Sequence, residues 1–189
     1  MIDYLMTADE AKQKLVEGNM RSLKSDSVSI SVSKDILRKF NSDGQAPYAI
    51  IVTCSDSRVI PEAIFDADIG DLFVIRVAGN VIDSHQLGSI EYAEEHLGSP
   101  IVVVLGHTNC GAINAVLAGE GGNYIDYIAY DIGMAIKEEK DPYKATVLNV
   151  KHSCDIIESS ILIQKDEKEH GLKVLGAVYN LETGEVEFI

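Results

Sequence analysis

Two short stretches of the chain combine residue types that bind metals or take part in catalysis. The first, CSDSR, places Cys54, Asp56 and Arg58 within five residues, and the second, GHTNCG, places His107 three residues before Cys110. Two thiolates and an imidazole suit Zn²⁺, in a tetrahedral set that leaves one position over. A single cysteine at the end of a strand is by default a small buried hydrophobic residue. Whether these residues bind a metal therefore depends on where the fold places the two stretches.

Both stretches follow apolar runs that are typical of buried strands. AIIVTC (49–54), DLFVIRVA (71–78) and IVVVLG (101–106) are the three runs, and SIEYAEEHLG between the last two has a helical pattern ended by a glycine. Continuous apolar strands with helices between them predict a parallel sheet covered on both faces. Because ligands bind beyond the carboxyl ends of such strands, we expect Cys54, His107 and Cys110 to converge at one sheet edge.

The remaining segments complete an α/β fold. Residues 7–24 begin with Thr7 and Glu10 in a capping-box spacing and continue as a helix, whose apolar stripe we expect its own domain to leave largely uncovered. A Ser-rich link, a short helix near residues 34–40 and a turn at 41–44 follow, then helices at 111–119 and over much of 124–168. The final LKVLGAVYNLETGEVEFI predicts two strands around a turn.

We therefore predict one domain over residues 1–189, with a mostly parallel central sheet flanked by helices, an N-terminal helical arm (1–40) and a C-terminal β-hairpin.

The composition limits the kinds of partner that we expect the chain to bind. The net charge of −14, from 30 acidic and 16 basic residues, argues against binding to nucleic acid and to anionic membranes. No run approaches the roughly 20 apolar residues of a membrane span, and MIDYLMTADEA has no signal-peptide pattern. Three cysteines make an odd count without framework spacing, so we expect a cytoplasmic protein rather than a secreted disulfide scaffold.

Several other polar residues have a simpler interpretation. The acidic segments EYAEEH and QKDEKEH predict solvated helix faces, and Cys154 on a helix predicts a packing thiol. Arg76 at the end of the second strand is expected to be structural, as in an interface ion pair. The histidines without a ligand-spaced partner predict surface or capping positions; they are His85, His96, His152 and His170.

Two other functions for the CSDSR stretch come from its residue types. A cysteine nucleophile is one, although Arg58 follows Cys54 too closely for the phosphate-binding loop of tyrosine phosphatases. A purely structural zinc, with Asp56 as its fourth ligand, is the other, and the spacing leaves it open.

The pattern C-x-D-x-R followed by H-x-x-C resembles the β-class carbonic anhydrases. The resemblance covers nearly the whole chain and includes LVEGNMRS, with Ser22 where the family usually has phenylalanine. It continues through CSDSRVIPEAIFDADIGDLFVIRVAGN, GSIEYAEEHLGSPIVVVLGHTNCGA and LKVLGAVYNLETGEV.

The resemblance implies a zinc enzyme for the reversible hydration of carbon dioxide to bicarbonate and a proton. Cys54, His107 and Cys110 would bind one zinc per chain, and Asp56 with Arg58 would form a dyad that orients zinc-bound hydroxide. Asp56 would also be the residue able to close the zinc site as a fourth ligand. Related hydrolases of carbonyl sulfide or carbon disulfide, and a non-catalytic zinc- or anion-binding protein, are the alternatives.

The resemblance also implies a substrate site and an assembly. Gln45 would hydrogen-bond the substrate, Phe73 and Tyr92 would line the cleft, and Gly111 would contribute beside the metal. Family members form homodimers or assemblies of dimers, and the glutamine would then reach the site from the partner chain. One branch of the family carries a regulatory bicarbonate pocket built partly on a tryptophan three residues before the first zinc cysteine. That position here is Ile51, which predicts that the pocket is missing.

Overall fold

The structure is a computed structural model that describes residue 4, residues 6–25 and residues 32–189. Most of the predicted Ser-rich link, residues 26–31, lies outside the described residues. Within the described ranges, no helix combines the length and apolar character that crossing a membrane requires.

A five-stranded sheet forms the centre of the fold. Four strands are parallel and the last is antiparallel to its neighbour, in the order β2-β1-β3-β4-β5. The strands are β1 (Ala49–Thr53), β2 (Leu72–Arg76), β3 (Ile101–His107), β4 (Lys173–Tyr179) and β5 (Val186–Phe188). The predicted mostly parallel sheet and C-terminal hairpin are confirmed.

Eight α-helices and a 3₁₀ turn at Ala78–Asn80 connect and cover the strands in the described part of the chain. The helices are α1 (Ala8–Lys24), α2 (Lys34–Asp43), α3 (Pro61–Ile64), α4 (Ser84–Leu97), α5 (Gly111–Leu117), α6 (Ile125–Ile136), α7 (Pro142–Glu158) and α8 (Ile161–Glu169).

Local capping explains where two helices differ from the sequence prediction. Helix α2 continues through the predicted turn to Asp43, and Gly44, with φ of +79°, ends it. Helix α4 begins before the predicted segment because the Asp83 carboxylate accepts hydrogen bonds from the backbone N–H groups of His85 and Gln86. The predicted Thr7–Glu10 capping box of α1 is confirmed.

Side chains of β1 and β3 alternate between the two faces of the sheet, and both faces are covered. Ile51 and Val103 point to the side of α1, whereas Ile50 and Val102 point to the side of α4, α7 and α8. Beyond the carboxyl ends of these strands, a third apolar cluster formed with α5 and α6 surrounds Cys54. The sheet thus presents the ends of β1 and β3 side by side inside an apolar surrounding.

Two expectations about side-chain exposure hold only in part. The apolar stripe of α1 is divided, because its own chain fully buries Ala11 and Leu15, whereas Met20 and Leu23 are exposed as expected. In the acidic segments, Glu94 and Asp166 are fully buried rather than solvated. In both cases a helix turns one face inward onto the sheet side, and the sequence pattern alone did not identify that face.

Candidate metal centre

Two neighbouring parallel strands bring the three candidate ligands together. Cys54 directly follows β1, His107 is the last residue of β3, and Cys110 is the N-cap of α5. Their ligand atoms all lie within 4.8 Å of one another, and the two sulfur atoms are 4.0 Å apart. Two thiolates bound to one zinc at about 2.3 Å in tetrahedral geometry would lie about 3.8 Å apart. The three side chains therefore have the spacing of a metal-binding group.

Of the two ring nitrogens of His107, one has a hydrogen-bond partner among the described residues and the other has none. Its Nδ1 lies 2.9 Å from the backbone oxygen of Thr108, so Nδ1 carries the proton and donates it to that carbonyl. Nε2 is then an acceptor, fully buried and without a hydrogen-bond partner in the described part of the chain. A buried unpaired acceptor is costly, and a metal ion between Nε2 and the two sulfur atoms would satisfy it.

The loop after β3 is fixed by its neighbours. The N–H of Thr108 donates to the carbonyl of Tyr179 at 3.0 Å, and the Thr108 hydroxyl oxygen accepts the N–H of Leu181 at 3.0 Å. Gly106 lets α7 approach β3 closely, because a Cβ at this position would lie 2.5 Å from Val150. These contacts hold the backbone that carries His107.

The sulfur of Cys54 lies in a surrounding that favours the thiolate. The hydrogen bond with the Cys110 thiol lowers the pKa of Cys54, and backbone N–H groups add to that effect against the opposing effect of burial. One of these donors is the N–H of Gly79, at 3.3 Å. Gly79 has φ of +69°, and Asn149 fixes it by donating to its carbonyl at 2.7 Å. A divalent cation bound here would displace the protons that the two thiols carry.

Asp56 and Arg58 form a bidentate ion pair beside the ligand group. The guanidinium donates to Asp56 Oδ1 at 2.9 Å and to Oδ2 at 2.7 Å, and the backbone N–H of Arg58 donates to Oδ1 at 3.0 Å. These hydrogen bonds hold the pKa of Asp56 well below its usual range, so the carboxylate stays ionised. Asp56 Oδ2 lies 3.9 Å from His107 Nε2, which places the carboxylate at the edge of the ligand group.

Arg76 contacts the same loop, in a way that the sequence did not suggest. Its guanidinium donates to the backbone carbonyls of Cys54 and Asp56, which is a structural role as expected, and an ion pair at an interface stays a prediction. The sequence carried a signal for this contact only in the position of Arg76 at the end of a strand adjacent to β1.

Of the four residues expected to bind substrate, the fold places one beside the candidate metal ligands and three away from them. Gly111 directly follows Cys110 and borders open space. Gln45 is exposed before the amino end of β1, so the length of that strand, roughly 16 Å, separates it from Cys54. Phe73 and Tyr92 contact each other with ring centroids 6.4 Å apart, but Phe73 pairs with Ile50 near the amino end of the sheet. Within one chain, only Gly111 lies next to the candidate ligands.

Comparison with known proteins agrees with this arrangement. The family model described as carbonic anhydrase matches residues 49–186. Carbonic anhydrase 2 of Mycobacterium tuberculosis is 61% identical over 75 residues, which is 40% of this chain and 36% of that protein, so this match spans about a third of the relative's length. The carbonic anhydrase of Emericella nidulans is 32% identical over 156 residues, covering 75% of this chain and 68% of the relative.

A solved structure shares the fold over most of both chains. A tetrameric β-carbonic anhydrase of Sordaria macrospora superposes with a TM-score of 0.75 at 27% identity, covering 82% of this chain and 87% of the other. The family model and the fungal relative each match more than half of the chain. This chain therefore belongs to the β-carbonic anhydrase family.

Proposed function

We propose that this chain binds one zinc ion through Cys54, His107 and Cys110 and catalyses the reversible hydration of carbon dioxide. The observation that carries the proposal is the buried Nε2 of His107, which has no hydrogen-bond partner among the described residues and lies close to two thiols with an ionised carboxylate beside them. Two thiolates and one imidazole select zinc over hard cations, which prefer oxygen ligands. Three protein ligands leave a fourth position for water or substrate, as in catalytic zinc sites.

Asp56, Arg58 and His107 would position the nucleophile and the metal. A bound zinc ion lowers the pKa of water to about 7, which supplies a hydroxide nucleophile near neutral pH. The Asp56 carboxylate, kept ionised by Arg58, would accept a hydrogen bond from the nucleophile and orient it towards the carbon of CO₂. His107 donates its Nδ1 proton to the Thr108 carbonyl, which would keep Nε2 available as a metal ligand.

Paired chains would complete the substrate site. Gln45, Phe73 and Tyr92 lie far from Cys54 in their own chain, and β2 is an edge strand of the described sheet. We propose a homodimer or an assembly of dimers in which Gln45 reaches the partner's site. The tetrameric Sordaria relative supports assembly of this kind.

The first experiment measures CO₂ hydration by stopped-flow and metal content on the same purified sample. About one zinc per chain together with hydration activity supports the proposal, and fully active zinc-free protein contradicts it. Parallel assays with carbonyl sulfide and carbon disulfide distinguish a hydrolase of sulfur analogues. Zinc without any turnover would identify a non-catalytic binding protein.

A mixing experiment tests the shared site. Gln45→Ala chains and Cys54→Ser chains are unfolded, mixed and refolded together, and each is also refolded alone. If Gln45 acts across the interface, mixed dimers contain one intact site and recover activity that neither variant has alone. If mixing recovers nothing while the wild-type chain refolds to full activity, Gln45 does not act from the partner.

A further inference from the structure

Arg76 joins the end of β2 to the loop that carries the candidate metal site. β1 and β2 pair in parallel up to Thr53 and Arg76, and the N–H of Val77 donates to the Thr53 carbonyl at 3.1 Å. Beyond that point the hydrogen bonds come from the Arg76 side chain. Its Nε donates to the Cys54 carbonyl at 3.1 Å and its Nη2 donates to the Asp56 carbonyl at 2.6 Å. The guanidinium thus provides the donors that a longer β2 would have supplied.

One planar group therefore holds two functional residues at a fixed separation. The guanidinium presents its N–H groups in a rigid fork, so hydrogen bonds to two carbonyls fix both peptide units relative to each other. Cys54 is the first candidate ligand, and Asp56 carries the carboxylate of the dyad. Arg58 holds the side chain of Asp56, whereas Arg76 holds its backbone.

We propose that Arg76 is a positioning residue of the metal site, which keeps the Asp56 carboxylate beside the metal's open position but out of it. This inference rests on the proposed zinc site. Asp56 Oδ2 is already 3.9 Å from His107 Nε2, so a small displacement of the loop brings the carboxylate within reach of a metal bound there. Without the Arg76 fork, the loop is tied to its surroundings through Thr53, the sulfur of Cys54 and the Arg58 guanidinium. Among the described contacts, none of these ties to a neighbouring element holds the backbone carbonyl of Asp56.

The test uses Arg76→Met, Arg76→Lys and, as a matched control, Arg38→Met, which removes an exposed arginine paired with Asp35. Each full-length variant is loaded with cobalt(II), and azide binding is followed through the visible spectrum. Azide needs the open metal position, so this measurement does not depend on CO₂ turnover. Circular dichroism and metal content verify that each variant is folded and loaded.

We expect wild type and Arg38→Met to bind azide equally, and Arg76→Met to bind it at least about 10-fold more weakly. Turnover of the zinc form of Arg76→Met should fall by about 100-fold, the loss that a displacement of about 1 Å can cause. Adding Asp56→Asn to Arg76→Met should restore azide binding, because the amide is a poorer metal ligand than the carboxylate. Arg76→Lys should be intermediate, since a single ammonium group does not reproduce the fork.

Azide binding and turnover at wild-type levels in Arg76→Met would overturn the proposal. So would weakened azide binding that Asp56→Asn does not restore. If Arg76→Met does not fold, Arg76→Lys decides in the same assay, and wild-type azide affinity in that variant contradicts the positioning role. Wild-type protein that binds cobalt and azide but hydrates no CO₂ would refute the proposed function while leaving the Arg76 comparison readable.

Discussion

Two clusters of buried ionisable side chains lie at different places around the sheet in the described part of the chain. The metal cluster, Cys54, His107 and Cys110, lies at the carboxyl edge of the sheet. The carboxyl cluster, Glu94 on α4 and Asp166 on α8, is fully buried where these helices cover the sheet. Both contain polar atoms without hydrogen-bond partners among the described residues. The chemistry of those atoms shows what each cluster lacks.

A proton would satisfy most of the unpartnered oxygens of the carboxyl cluster. The hydroxyl of Tyr4 donates to Glu94 Oε1 at 2.6 Å, while Glu94 Oε2 and both oxygens of Asp166 lack a donor in the described chain. Burial raises the pKa of Glu94 to about 7, and the nearby Asp166 carboxyl group adds to that effect. A proton shared between Glu94 Oε2 and one oxygen of Asp166 would give two of these three oxygens a partner. The Lys165 ammonium and the His170 imidazole lie 3.9 and 3.8 Å from Asp166 Oδ1.

The metal cluster cannot be completed in the same way. With one proton between the two thiols, His107 Nε2 has no donor among the described residues, and the three ligand atoms lie within 4.8 Å of one another. Soft sulfur with imidazole binds a transition metal, whereas paired carboxyl groups in an apolar surrounding bind a proton. Buried acceptors without a partner therefore identify a ligand only when the chemistry of all the atoms in their cluster is considered.

The largest expected effect separates the three cysteines. Cys54→Ser and Cys110→Ser should each lose bound zinc and CO₂ hydration together, because each removes one of two thiolate ligands. The matched control is Cys154→Ser, since that thiol lies half-buried on α7 away from the metal cluster. Metal analysis and stopped-flow hydration on the same samples provide the measurement. Zinc retained at one per chain in Cys54→Ser would show that the metal cluster is misassigned.

The next effect concerns the dyad at the edge of the metal cluster. Arg58→Ala removes the two guanidinium donors of Asp56, so turnover should fall by roughly 100-fold while zinc stays bound. Arg38→Ala, which removes an exposed ion pair with Asp35, should leave both quantities unchanged. Near wild-type hydration by Arg58→Ala would refute the dyad role.

The two clusters differ in how far the sequence predicts them. The metal cluster could be predicted because its residues follow adjacent parallel strands, and strand ends are determined by local apolar runs. Glu94 and Asp166 come from two helices distant in the sequence, and each lies in a run of charged residues that resembles a solvated face. Which helix face turns inward depends on the packing of α4 and α8, which no local spacing encodes. The Arg76 contact has the same origin, because it depends on strand order.

A smaller effect distinguishes the carboxyl cluster by its pH dependence. The pKa of Glu94 is raised in the folded state, so the folded protein holds this proton more tightly than the unfolded chain. The free energy of unfolding should therefore decrease as pH rises from about 4.5 to about 7, by at most about 1.4 kcal/mol per pH unit for this one proton. Asp56, whose pKa is lowered, contributes with the opposite sign and only at more acidic pH.

The measurement is urea unfolding of wild type, Glu94→Gln and Glu182→Gln between pH 4.5 and 8. Glutamine at position 94 can accept from Tyr4 and donate to Asp166 without titrating, so the difference from wild type isolates this proton. Glu182 is an exposed carboxylate in the C-terminal turn, and its replacement should leave the pH dependence unchanged. Parallel stability curves for wild type and Glu94→Gln would show that the carboxyl cluster holds no shared proton.

The smallest expected effect is a response to bicarbonate, which should be limited to product inhibition. Ile51 is fully buried in the core on the α1 side of the sheet, and an aliphatic side chain has no donor for an anion. Asp56 is held by Arg58 through three hydrogen bonds and stays ionised across the neutral range, so we expect it to remain on its arginine there. CO₂ hydration between pH 6.5 and 8.5, with and without high bicarbonate at constant ionic strength, should follow one titration near neutrality.

Repeating the series with Glu94→Gln separates any step caused by the carboxyl cluster, which titrates in the same range, from one at the metal cluster. A steep, cooperative loss of activity below pH 8 that bicarbonate deepens, present in both proteins, would show a regulatory switch that operates despite Ile51.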